Sequence, residues 1–126
     1  MTQNEFRQLL EAVATGWSSG DVTLATGCFT PDAIYTEPPR RRYFRGRDDL
    51  FYSFGGEDPP PMSLCWHHVV FDETAGIGAG EYTFDSERRY HGVVMVKVVN
   101  GLIANWREYR YESDLDWPAF CDVNRF

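Results

Sequence analysis

The sequence predicts an α+β fold in which helices come first and a curled antiparallel sheet follows. Apolar residues recur at helical spacing near the N-terminus, the second half of the chain alternates with the period of two expected of strands, and turn residues separate the alternating runs. The apolar helix faces would close one side of the sheet, and the space enclosed between the layers is the natural pocket.

Each element has a local reason. Thr2 followed by Glu5 makes a capping box, after which Phe6, Leu9, Leu10, Val13 and Trp17 form one helical stripe. Ser18-Ser19-Gly20-Asp21 breaks that helix, and Asp21 starts a short second one placing Leu24, Ala25, Cys28 and Phe29 on an apolar side. Thr30-Pro31-Asp32 is expected to end it, and a short strand over Ala33 to Glu37 then stops at Pro38-Pro39, where no ladder donor remains. The charged run Arg40-Arg41-Arg42 reads as a solvated loop, and a third helix is predicted over roughly Asp48 to Phe54. Gly55 to Pro61 carries no packing signal and is expected to be a mobile lip. Four strands follow, about Met62–Phe71, Ile77–Phe84, Arg88–Val99 and Leu102–Tyr111, whose short turns imply an antiparallel meander. Ser113 and Asp116 can cap a last helical segment bearing Leu115, Trp117 and Phe120.

With 126 residues and no linker or repeat, the chain reads as one domain, 1–126. Four Trp, seven Tyr and nine Phe are enough either to build a bulky core or to line a cavity as well. A net charge of −7 argues against general attraction to nucleic acid or an anionic membrane. Cys28, Cys65 and Cys121 are odd in number and widely spaced, which disfavours a disulfide framework and fits a reduced, cytoplasmic setting. No apolar stretch approaches the ~20 residues of a membrane span, and residues 1–20 do not look like a signal peptide.

Several segments together resemble the SnoaL-like group within the nuclear-transport-factor-2-like cone fold. They are Ser19-Gly20-Asp21, Phe29-Thr30-Pro31-Asp32-Ala33, the Gly46 turn, and Asn100-Gly101-Leu102-Ile103 running into Trp106-Arg107-Glu108-Tyr109. The resemblance covers nearly the whole chain and implies a cone with an internal pocket, frequent dimerisation and no single reaction. Glu37 before Pro38 stands where ketosteroid isomerases carry their proton-shuttling aspartate. Tyr35-Thr36-Glu37 and Trp106-Arg107-Glu108-Tyr109 are similar to segments that hold the attacking water in limonene epoxide hydrolases. The departures are equally specific. The hydrolase Arg-x-Asp would fall near Tyr82 and Phe84, and the isomerase's enolate-stabilising pair near Val13 and Met95, so neither reaction carries over whole.

Strand alternation yields a pocket reading without any family. Tyr82 shares a face with Phe84, Tyr90 with Val94, Val96 and Val98, and Trp106 with Glu108 and Arg110. If these faces turn toward the helices, Glu108 enters an aromatic cavity, where a carboxylate must be paired, hydrogen-bonded or protonated. Facing Glu37, it would form a coupled acid and base; alternatively Glu108 pairs with Arg110 as a structural ion pair, or Glu37 lies at a solvated strand end. Tyr35 could position a substrate or water, or simply satisfy its hydroxyl in the core. Alternation points His67 and His68 to opposite faces and favours His68 for the pocket, while Glu81 and His91 fall outside, His91 beside a Val93/Met95 strip that suits a dimer contact or ordinary packing. No His, Cys or carboxylate spacing announces a metal site.

The residues therefore predict a pocket protein for a small hydrophobic molecule. The leading expectation is a cofactor-independent acid/base enzyme, an isomerase, cyclase, dehydratase or hydrolase, acting on a hydrophobic carbonyl-containing or cyclic metabolite. Glu37, Glu108 and Tyr35 would be its catalytic residues, and Tyr82, Phe84, Tyr90, Trp106, Arg110 and His68 its ligand-binding ones. The alternative is a non-catalytic ligand-binding or dimerisation module. A homodimer is expected from the resemblance alone.

Overall fold

The computed structural model describes residues 1–39 and 41–126. Helix α1 (Gln3–Ser19) begins where the Thr2 hydroxyl accepts the Glu5 N–H, and ends at Gly20, whose φ of 74° closes the last turn in a left-handed conformation that a side chain would oppose. The short α2 (Val22–Gly27) is capped by Asp21, and α3 (Gly46–Ser53) begins two residues earlier than the sequence suggests. The strands are β1 (Phe29–Glu37), β2 (Arg42–Arg45), β3 (Ser63–Asp72), β4 (Ile77–Asp85), β5 (Arg89–Val99) and β6 (Leu102–Glu112). A last short helix, α4 (Trp117–Cys121), is capped by Asp116.

Among the described residues these strands form one six-stranded sheet in the order β2-β1-β6-β5-β4-β3. The expected meander is present from β3 to β6, with Asn100 and Gly101 both at positive φ, the backbone a two-residue hairpin turn requires. The sheet as a whole is mixed, because β1 runs parallel to β6. Turn chemistry constrains only strands adjacent in the chain, so it is silent on a pairing that joins residues some seventy positions apart.

Two further differences lie near β1. The strand begins at Phe29 rather than Ala33, since Thr30-Pro31-Asp32 forms a bulge against β6 in which Pro31 needs no ladder partner. The segment expected to be a charged loop contributes β2, antiparallel to β1 with Glu37 opposite Arg42; Arg40 lies outside the described residues.

Helix α1 is fastened to the inner face of the sheet through β3. The Trp66 indole N–H donates to the Leu10 carbonyl at 2.8 Å, the Gln3 side-chain amide to the Val69 carbonyl at 2.9 Å, and the Leu64 N–H to the Ser18 hydroxyl at 3.2 Å. Phe6, Leu10, Val13 and Trp17 pack on Val94, Val96, Ile103 and Trp106, all in one buried core. The opposite face of the sheet is partly covered by α4. No helix among the described residues is long and apolar enough to cross a membrane.

Gly80 shows how close helix and sheet approach. A Cβ there would stand 2.5 Å from Trp66 Cζ3 and 3.1 Å from Leu10 Cδ1. Gly80→Ala is expected to lower the unfolding free energy by about 1–3 kcal/mol, read from the urea midpoint, because neither neighbour has room to retreat.

Candidate active site

Between the helices and the inner sheet face lies a cavity of about 560 Å³. Trp17, Tyr35, Phe54, Tyr82, Phe84 and Trp106 make its aromatic wall, Glu108 and Arg110 enter it from β6, and Arg42 and Arg88 reach it from the exposed side. The volume falls in the range typical of small-molecule sites. The rings are mutually braced: Tyr35 stacks on Trp106 with centroids 5.6 Å apart and planes 7° from parallel, and Trp17 meets Trp106 edge-on at 5.9 Å.

Glu108 is the polar centre of this wall. It is 6% exposed, and its two oxygens accept one phenol each, Tyr35 Oη to Oε1 at 2.6 Å and Tyr82 Oη to Oε2 at 2.6 Å. A carboxylate only accepts, so two short donors on two oxygens meet what burial demands of it. Three strands build the contact. Tyr35 of β1 lies beside Trp106 of β6, and Tyr82 crosses from β4 over β5 at Gly92, its register partner. A Cβ at Gly92 would come within 2.8 Å of the Tyr82 hydroxyl, so the missing side chain is the channel through which Tyr82 reaches β6.

Both phenols are held well above their ordinary pKa. Burial contributes most, followed by the Glu108 charge and the hydrogen bond it accepts, with Arg42 pulling Tyr35 and Arg110 pulling Tyr82 weakly back. They remain protonated donors through the neutral range.

The second carboxylate, Glu37, is 3% exposed but does not face Glu108 as a coupled partner. Its Oε1 pairs with Arg110 Nε at 3.0 Å, and its Oε2 lies 3.5 Å from Arg42 Nε, too poorly placed for a hydrogen bond. Arg110 thus pairs with Glu37 rather than Glu108, and its guanidinium also covers the Tyr90 ring at 4.1 Å. Burial works against the Arg110 charge, yet the bond to Glu37 and that group's charge more than offset it and leave the guanidinium firmly protonated. The cavity lining includes Arg110 and Arg42 but not Glu37.

His68 is not in the cavity. A bulge between Trp66 and His68 inserts an extra residue in β3, which puts both His67 and His68 on the outer face. There His68 bonds Glu81 at 2.8 Å, and His67 stacks on Trp117 at 3.9 Å and bonds Thr83 at 2.7 Å. His91, as alternation implies, is on the same outer face, but it lies buried under α4, bonded to Thr83 and to the Leu115 carbonyl. The cavity does contain the other ligand-binding candidates, Tyr82, Phe84, Tyr90, Trp106 and Arg110. Gly55 and Pro60 of the predicted lip also line it, and Gly55 packs so tightly that a Cβ would meet Pro59 at 2.6 Å. No cluster of metal ligands occurs among the described residues. The three cysteines are free, and burial raises the Cys28 thiol to about 11, which leaves it un-ionised and a poor nucleophile.

Sequence reasoning missed Arg42 and the role of Gly92. Arg42 was hidden in a basic run that resembles a solvated loop. Gly92 had a usable signal, a glycine inside an otherwise β-branched strand, which marks a close approach.

Residues 9–106 match the family model of the SnoaL-like domain. The chain belongs to this family. No protein of curated function matches it. Solved structures place the SnoaL-like domain in the nuclear-transport-factor-2-like fold. A putative ketosteroid isomerase from Kribbella flavida is 20% identical, with 98% of this chain and 91% of that one covered and a TM-score of 0.74. A nuclear-transport-factor-2-like protein from Burkholderia xenovorans is 16% identical over 98% and 96% of the two chains, TM-score 0.75. An LEH-like epoxide hydrolase from M. tuberculosis is 16% identical over 86% and 84%, TM-score 0.74. At these identities the likeness is one of fold.

The raised phenol pKa values set an alkaline limit on stability. The folded protein keeps protons on Tyr35 and Tyr82 that the unfolded chain loses above pH 10, so their contribution is complete below that value and declines above it. Unfolding free energy measured between pH 8 and 11.5 should fall above pH 10 by as much as ~1.4 kcal/mol per pH unit for each phenol. The Tyr35→Phe/Tyr82→Phe variant should be less stable at pH 8 and show a shallower decline.

Proposed function

We propose that this SnoaL-like domain is a cofactor-independent acid/base enzyme acting on a hydrophobic carbonyl compound, with Glu108 as its base. The observation that supports this most is a buried carboxylate held by two phenols in the wall of an aromatic cavity large enough for a small metabolite. Each carboxylate oxygen has a second lone pair, so Glu108 can take a proton from the carbon next to a substrate carbonyl while Tyr35 and Tyr82 hold it in place. The two phenol protons are committed to Glu108. The electron pair left on the substrate moves to the carbonyl oxygen, where the donor available in the cavity is the Arg110 guanidinium. Return of the proton to a different carbon completes an isomerisation; return after ring closure completes a cyclisation.

This reading changes the roles suggested by the sequence. Glu37 becomes a positioning residue that fixes Arg110, and Tyr35 a positioning residue for Glu108. Homodimerisation belongs to the same reading, with the exposed outer-face residues Val70, Val93, Tyr109 and Tyr111 as its apolar surface. A non-catalytic binding module is favoured by one feature: both oxygens of Glu108 are already satisfied at 2.6 Å, so the wall is stable as it stands.

Solvent deuterium exchange separates the two. A panel of hydrophobic aryl and cyclic ketones incubated in D2O should show exchange next to the carbonyl above the buffer rate, followed by NMR. Glu108→Gln should reduce it by about 10²–10⁴-fold while far-UV circular dichroism is unchanged. Ketones that bind without exchange would favour the binding module and remove Glu108 from catalysis.

A further inference from the structure

The charges around Glu37 are unequal. One buried carboxylate lies between two guanidiniums, and they differ in how well it satisfies them. Arg110 sits at 3.0 Å with a side chain only 16% exposed, whereas Arg42 sits at 3.5 Å with a side chain 49% exposed. Among the described residues Arg42 makes no hydrogen bond, and its guanidinium lines the cavity. Its planar fork of donors is the kind that grips a carboxylate through two parallel bonds. Arg88, also on the lining, is engaged with Glu112 at 3.1 Å, and Glu87 supplies an opposing charge near it, so the uncompensated positive charge is local to the Arg42–Arg110 pair. In a chain of net charge −7, a surplus cation turned into an aromatic cavity is a specific feature rather than part of a general basic surface.

We infer that the cavity selects a hydrophobic keto acid, whose carboxylate is bound by Arg42 while its carbonyl lies toward Arg110 and Glu108. Because both guanidiniums flank the single side chain of Glu37, carbonyl and carboxylate must be separated by only a few bonds. The inference rests on the proposed function for the placement of the carbonyl, but the selection for a carboxylate is a property of binding and is tested apart from turnover.

The probes are 4-oxo-4-phenylbutanoate and its methyl ester, which share one aryl ketone and differ in the anionic group. Binding is read from the fluorescence of Trp17 and Trp106, which line the cavity. The acid is expected to bind about tenfold more tightly than the ester at low ionic strength. Arg42→Gln should abolish that preference by weakening the acid alone, and Arg42→Lys should restore part of it. Equal binding of acid and ester by the wild type, or a preference that survives in Arg42→Gln, overturns the inference. Deuterium exchange in the same two ketones reports separately on Glu108. Exchange of the ester without any preference for the acid overturns the carboxylate site alone, and a preference lost in Arg42→Gln but without exchange supports that site while overturning the acid/base reading.

Discussion

The buried carboxylate of Glu108 is the constraint around which the inner face of the sheet is organised. Left unpartnered among Trp17, Tyr35, Phe84 and Trp106, it would be costly enough to unfold the strand end that carries it. Two phenols remove that cost, and each comes from a different strand. Satisfying one side chain therefore requires β1, β4 and β6 to be in a fixed mutual register, which ties the site to the fold at three points.

Register alone does not bring Tyr82 to Glu108, because β5 lies between their strands. The gap is opened by Gly92, where any side chain would occupy the path of the phenol. On the other side, the parallel pairing of β1 with β6 puts Tyr35 beside Trp106, and the stacked rings leave the Tyr35 hydroxyl aimed at the neighbouring carboxylate. The bulge at Thr30-Pro31-Asp32 absorbs the mismatch in length between these strands, with the Arg47 guanidinium bonded to the Phe29 carbonyl at its base.

What was legible in the sequence follows the range of the interactions. Helix α1, its Thr2 cap, the β3–β6 hairpins and the inward faces of β4, β5 and β6 are local patterns, and each could be read from a window of ten to twenty residues. The resemblance to SnoaL-like proteins supplied the cone and pointed to Glu37 and Glu108 together. What no local pattern held was which partner each carboxylate would find. Arg110 is two residues from Glu108 and on its face, yet it bonds Glu37, because β1 delivers that residue to the end of β6. The misplacement of His68 has the same origin: alternation assumes an unbroken ladder, and one extra residue after Trp66 reverses the face of everything that precedes the next regular pair.

The difference in partners gives the two glutamates different electrostatic consequences. Phenols are neutral donors, so they satisfy the Glu108 oxygens and leave the negative charge in the cavity wall. Guanidiniums are cations, so at Glu37 the charge is cancelled and a positive surplus remains. The cavity accordingly has a negative group in its aromatic wall and a positive region beside it, with low-polarity rings between that screen neither. A polar molecule entering such a space experiences a field with a direction: its electron-rich oxygens are drawn to Arg42 and Arg110, and its hydrogen-bearing carbons are left against Glu108. Orientation of this kind needs no movement of the protein, since every group that creates the field is already held by a bond to a neighbouring strand.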